Sequence, residues 1–250
     1  MRLLFTLALW TLTFFSTLGQ EKIEKQKVTF LNQHFYEISE KDLEQRAYKR
    51  VENQLKSGER MIWIFDLENR MVSQLKIGFN NVEKFNQEIR EEFDENNALK
   101  TQTLKNLDNG KYITFYFNEG EKTGQVTFLG DRTYSIWRTE LDSEQSSNRD
   151  EFKPGLDQDK LQTLFINNLD YPNSARSTRQ SGTVELALLI SKEGELKQVE
   201  VANAYLIHKA LANEALRVIR LYDGPFYPAL DTNGNPIEAW MYIPVRFKLG

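Results

Sequence analysis

The chain has 250 residues, of which 40% are hydrophobic and 12% aromatic, and its formal net charge is −4. That is the make-up of a globular protein with one or two cores, and it excludes a disordered or fibrous chain. Lys and Arg are interspersed with Glu and Asp instead of forming a basic stripe, which argues against nucleic acid as a partner. The chain contains no cysteine, so disulfide staples, thiolate chemistry and a lipid-modified cysteine are excluded as well.

The opening "MRLLFTLALWTLTFFSTLGQEK" places Arg2 before an apolar run over residues 3–18, with Ser16, Thr17 and Gly19 at its end. This pattern predicts a secretory signal over residues 1–19, cut near Gly19 or Gln20. The run is shorter than the roughly 20 residues that span a bilayer core, so an uncleaved anchor is the competing reading. Cleavage puts the protein in the periplasm or outside the cell. Membrane attachment follows only if the segment is retained.

Residues 20–138 read as a β-rich domain with two helices. The first helix is predicted from a Ser39 cap with Asp42 three residues on, a stripe of Leu43, Ala47, Val51 and Leu55, and a stop at Gly58. The second, over residues 81–99, is predicted from Val82, Phe85, Ile89 and Phe93, with Glu91 and Glu92 on its solvated side. Between and after them, "RMIWIFD" at 60–66 and "KYITFYFN" at 111–118 follow turn signals, and residues 124–129 and 133–138 add further strands. Asn109-Gly110 is a strong hairpin signal. Both alternating faces of these runs are bulky, which predicts a sheet covered on two sides.

Residues 139–160, "TELDSEQSSNRDEFKPGLDQDK", are polar without apolar period and read as a linker. The C-terminal domain, 161–250, opens with Leu161, Leu164, Phe165 and Leu169 at helical spacing. Pro172 restricts Tyr171 to extended backbone and ends that element; "NSARSTR" then starts a short helix with Asn173 as its cap. "GTVELALLISKEG" and "ELKQVEVANA" form a hairpin turning at Glu193-Gly194. "IHKALANEALRVIRLY" is an amphipathic helix, "YDGPFYPAL" and "DTNGNP" are turns, and "IEAWMYIPVRFKLG" is the last strand. The order ββαβ places the chain in the α+β class.

Enzymatic signals are few, and the chain reads as no enzyme. His208 suits a capping or surface role at the start of the last helix, and His34 in "NQHFYE" suits the same. No second ligand stands at metal spacing to either, so neither a metal nor a cofactor is implied. A hydrolase hidden in the N-terminal domain would need a pocket joining His34 to several carboxylates.

Seven features in order resemble the C-terminal domain of the TonB energy-transducer family: Tyr171-Pro172, Gly182-Thr183-Val184, the Glu193-Gly194 turn, "LANEALRV", Phe226 to Pro228, "NGNP" and "IPVRFKL". The family has Trp where Phe226 stands and Asp where Glu193 stands. The hairpin units of the N-terminal half resemble MORN-type repeats. The TonB resemblance implies a last strand at a sheet edge, able to pair with a short segment of an outer-membrane receptor or another envelope protein. Pro244 either turns its vacant side outward and weakens that pairing or marks a bulge, and its alternative role is to protect the edge against association. Trp240, Tyr242 and Arg246 share one face of that strand and are candidate partner contacts. Tyr171 and Pro172 are further candidates, with packing against the sheet as their alternative role. The function expected is that of an exported, non-enzymatic envelope protein that binds a peptide or protein; the alternative is an anchored transducer for outer-membrane transport. Mass spectrometry of the protein purified from the envelope should find an N-terminus near Gln20, whereas an intact Met1 in the membrane fraction would identify the anchored form.

Overall fold

The computed structural model describes residues 23–39 and 41–249; the expected signal segment lies outside the described residues. The N-terminal part is one ten-stranded antiparallel sheet built from β1 (Ile23–Leu31), β2 (Tyr48–Leu55), β3 (Arg60–Phe65), β4 (Met71–Asn80), β5 (Phe85–Phe93), β6 (Leu99–Asn106), β7 (Tyr112–Asn118), β8 (Glu121–Gly130), β9 (Thr133–Arg138) and β10 (Gln145–Ser147). Strand order in the sheet is the order in the chain, so every connection is a hairpin or a short excursion. The strands expected at 60–66, 111–118, 124–129 and 133–138 are present.

Neither of the two helices expected here forms. The Ser39 signal yields a single 3-10 turn at Leu43–Gln45, and Val51 and Leu55 stand on β2. Phe85, Ile89 and Phe93 stand on β5, while Val82 is exposed in the preceding turn. The reason lies in the spacing. Four residues is close to one helical turn, but it is also an even number, so residues four apart share a strand face too. Pairing on both sides decides the matter: β2 pairs with β1 and β3, and β5 with β4 and β6. Gly58 does not end a helix; with φ of 89° it makes the β2–β3 turn, its N–H donating to the Leu55 carbonyl at 3.0 Å. Glu91 likewise belongs to a cross-strand cluster, accepting from Gln74 on β4 and from Gln102 on β6 at 2.7 Å.

With no helix to cover it, most of the sheet is a single layer whose residues stay half exposed on both faces. Buried residues gather toward its two ends, around Leu31 and Leu55 at the first and around Val126 and Ile136 at the last. At the last, the polar 139–160 stretch packs closely instead of hanging free: Phe152 is buried against Val126 and Ile136 and stacks on Tyr116 with ring centres 4.1 Å apart. Gly124 makes room for it, since a Cβ at that position would stand 3.0 Å from the Phe152 ring. The Arg138 guanidinium lies 5.1 Å from the same ring and donates to Glu151 at 2.6 Å. Burial is the largest single influence and pushes the Glu151 carboxyl up, but hydrogen bonds from Arg138 and Ser147 together with the charges of Arg138 and Arg149 hold the group below its ordinary value.

Beyond this clamp come β11 (Gly155–Leu156), α1 (Gln158–Asn168), α2 (Asn173–Ser177), β12 (Gly182–Ile190), β13 (Leu196–Val201), α3 (Lys209–Ile219), β14 (Phe226–Tyr227), β15 (Ala229–Leu230), β16 (Pro236–Ile237) and β17 (Ala239–Phe247). The expected ββαβ order is met by β12, β13, α3 and β17. Asp157, not an apolar residue, starts α1, accepting from the N–H groups of Asp159 and Lys160. Pro172 occupies the cap position of α2, so Asn173 is its first residue and not its cap. His208 caps α3, its Nδ1 accepting from the Ala210 N–H at 3.2 Å.

The three-stranded sheet has the order β13-β12-β17. Val184, Leu186, Leu188 and Ile190 of β12 meet Met241, Ile243, Val245 and Phe247 of β17 on one face, and Leu211, Ala215 and Ile219 of α3 cover them. Each fully buried aliphatic side chain here contributes about 1.5–3 kcal/mol. Among the described residues no helix is long and apolar enough to cross a membrane. The link between the two parts is as firmly packed as their cores: Phe152→Ala should lower stability by about 3 kcal/mol, within the range for buried aromatic truncations, read as a fall in the urea midpoint. An unchanged midpoint would show that Phe152 is not structural.

Candidate functional site

The strand order leaves β17 with one neighbour, β12, so one side of it is open. Which backbone groups face outward follows from the hydrogen bonds of Glu185. Its N–H donates to Asn203 Oδ1 at 2.9 Å and its carbonyl accepts from the Ala202 N–H at 2.7 Å, both on the β13 side. In an antiparallel pair a residue turned that way leaves its partner's groups free as well. The partner of Glu185 is Pro244. Alternation then turns Trp240, Tyr242 and Arg246 outward with it, so the open side presents three N–H groups and four carbonyls. Pro244 supplies a carbonyl and no donor, and its vacancy falls on the open side.

The side chains of Trp240, Tyr242, Pro244 and Arg246 point away from the helix layer, since the intervening Met241, Ile243, Val245 and Phe247 are buried. Part of that outer face is occupied by the chain's own β1–β2 connection. Asn32 Nδ2 donates to the Ala202 carbonyl at 2.8 Å, and Gln33 Nε2 to Glu200 at 2.7 Å. His34 lies between Glu200 on β13 and Tyr242 on β17, with Ala187 of β12 in the same cross-strand row and fully covered. His34 Nε2 bonds Glu200, and Nδ1 lies 3.1 Å from the Tyr242 hydroxyl. The ring thus bridges the carboxylate and the phenol. Burial, followed by the Glu200 charge, holds the Tyr242 phenol above its ordinary pKa and keeps it a donor. Trp240 meets the His34 ring edge-on at 4.8 Å.

His34 is therefore not the surface or capping residue that its sequence context suggested: it is 6% exposed and joins the two parts of the molecule. Its ring nitrogens are both engaged, by Glu200 and Tyr242. The sequence signal that was available is the pairing of polar Asn32 and His34 directly after the buried strand end Thr29–Leu31.

Along the open side of β17 runs a cleft of about 980 Å³, lined by every residue from Trp240 to Pro244. Consecutive strand residues point to opposite faces, so all five can line one cleft only if it follows the strand's edge. Its far wall comes from Tyr112, Arg132 and Tyr134 of the ten-stranded sheet and from the stretch between Asn148 and Asp159. Of the five candidate contacts, Trp240 and Tyr242 border this cleft. Arg246 lies further along the strand, exposed. Tyr171 packs edge-on against Phe247, and its hydroxyl donates to the Gln180 carbonyl, while Pro172 opens α2; neither lines the cleft.

Residues 167–249 match the family described as Gram-negative bacterial TonB protein C-terminal. The match covers α2, α3 and the whole three-stranded sheet. It does not reach the N-terminal hairpins, and the MORN-type resemblance is not supported. No curated protein and no solved structure matches the chain.

The His34 contacts act as a unit, so single substitutions should not add. His34→Ala and Glu200→Gln are each expected to cost about 1–3 kcal/mol, and the double variant less than their sum by at least about 0.5 kcal/mol. Strict additivity in chemical denaturation would rule out the coupling.

Proposed function

We propose that this protein is an exported envelope protein that binds an extended segment of another envelope protein by adding it as a strand beside β17. The observation that carries this reading is the row of outward backbone groups at Trp240, Tyr242, Pro244 and Arg246 along a cleft, on a module similar to the TonB C-terminal domain. Strand addition draws affinity from main-chain hydrogen bonds and specificity from neighbouring side chains. Trp240 and Tyr242, at the rim of the cleft and fixed from behind by His34, supply rigid aromatic contacts of the kind that dominate interfaces. Arg246 extends the contact beyond the cleft. The partner expected from the family likeness is a periplasmic segment of an outer-membrane receptor. Tyr171 acts indirectly, by holding the end of β17 through Phe247, and Pro172 by setting the start of α2.

Pro244 sets the length of the ladder. A segment pairing from Trp240 finds donor and acceptor at 240 and 242, then only an acceptor at 244. A long flat edge would invite association between copies, and a missing donor near its middle opposes that. The proposed pairing therefore depends on the N–H of Tyr242. Tyr242→Pro deletes that donor together with the ring, and Tyr242→Ala deletes the ring alone. Partner capture from an envelope extract should fall about tenfold further with the proline variant than with the alanine variant, the scale of one lost hydrogen bond. Equal capture by the two variants, both folded by circular dichroism, would refute strand addition at this edge.

A further inference from the structure

We infer that the second wall of the β17 cleft reads an acidic side chain of the bound segment through Arg149, which gives the N-terminal part of the chain a share in partner selection. This inference rests on the strand-addition reading. The wall facing β17 carries three cations and three carboxylates: Arg132, Arg149 and Lys153, with Asp150, Asp157 and Asp159. The carboxylates are all spoken for. Asp150 binds Lys153 at 2.9 Å, Asp157 caps α1, and Asp159 faces Arg132 at 3.4 Å.

Arg149 is the exception among these charges. It is half-buried, and among the described residues no carboxylate stands within ion-pair distance of it; Glu151, further off, feels its charge without bonding it. Its guanidinium lies over the Tyr227 ring at 5.6 Å and gives one hydrogen bond, to the Lys153 carbonyl at 3.3 Å. A guanidinium has five N–H donors in a planar fork that matches a carboxylate. The Tyr227 ring and the Lys153 carbonyl hold the group near the cleft, so less freedom is lost when an anion binds.

The wall is held in place relative to β17 from two sides. The Leu230 N–H donates to the Glu151 carbonyl at 2.8 Å, and β11 pairs with β14, so the Arg149 segment is stitched to the C-terminal module. The His34 contacts fix the outer face of β17 itself. Both walls are anchored, and Arg149 shares the cleft with the open backbone groups of β17, which suit an extended chain. The occupant is therefore a linear peptide segment carrying Asp or Glu near the residue that lies beside Trp240 to Pro244.

The test is selection of random dodecapeptides displayed on phage against the immobilised full chain, run in parallel on Arg149→Lys and Arg149→Glu. Wild type should enrich peptides with Asp or Glu at one position and Arg149→Lys should keep that preference more weakly, having the charge without the fork; Arg149→Glu should lose it and bind the selected acidic peptide at least tenfold more weakly. Backbone amide shifts on adding that peptide should centre on Trp240 and Tyr242. Peptides that bind at those amides without acidic preference, or whose preference survives in Arg149→Glu, would overturn the role of Arg149 and leave strand addition standing. No enrichment, or binding that leaves the Trp240 and Tyr242 amides unmoved, would overturn both. Matching thermal unfolding of the two Arg149 variants and wild type separates a lost contact from a lost fold.

Discussion

The requirement that buried polar groups find partners governs how the two parts of this molecule are joined. Asn32, Gln33 and His34 follow the covered end of β1, where the chain enters a loop, and their side chains meet a carbonyl, a carboxylate and a phenol of the C-terminal sheet. An Ala at 187 leaves the depression into which an imidazole fits, while Glu200 and Tyr242 stand on either side to satisfy it. Removing either partner would leave a desolvated group without its bond, which costs more than the bond itself contributes. The docking is specific for that reason, in a way that an apolar contact of equal area would not be. The open strand and its cleft inherit their geometry from this joint.

Much of the C-terminal module could be read from the sequence because its signals are local and mutually consistent. Pro172 breaks the chain where it must, Gly194 adopts the positive φ of the hairpin turn, and the stripe of Leu211, Ala215, Val218 and Ile219 has no strand-compatible alternative, since it mixes odd and even positions. The same logic explains the errors in the N-terminal part. Val51 with Leu55, and Phe85 with Ile89 and Phe93, are spaced by fours, which fits both a helix and a strand; only long-range pairing distinguishes them. Local propensity yields there to the sheet, as happens when both neighbours of a segment are strands.

The joint between the parts was hidden for a different reason. Residues 139–160 contain few apolar groups, and polar composition gave no sign that Phe152 and Leu156 would be buried or that Arg138 and Glu151 would pair at its edge. His34 was equally silent: its partners stand 166 and 208 positions away. Of the site itself, the sequence identified Trp240 and Tyr242 by their place on the last strand. It could not identify Arg149, whose importance comes from the carboxylates that its neighbours have already taken.

The ten-stranded meander has a consequence for how such a chain changes over time. Because each strand pairs only with those before and after it, stability accumulates through nearest-neighbour interfaces, much as in a repeat array. A hairpin inserted or deleted in the middle shifts the far end of the sheet by a fixed step without rethreading anything. The distance between the β1 loop and the β7–β9 wall is thus set by the number of intervening hairpins. Counting hairpins is a way of adjusting the span of the clamp while every residue of its jaws stays the same.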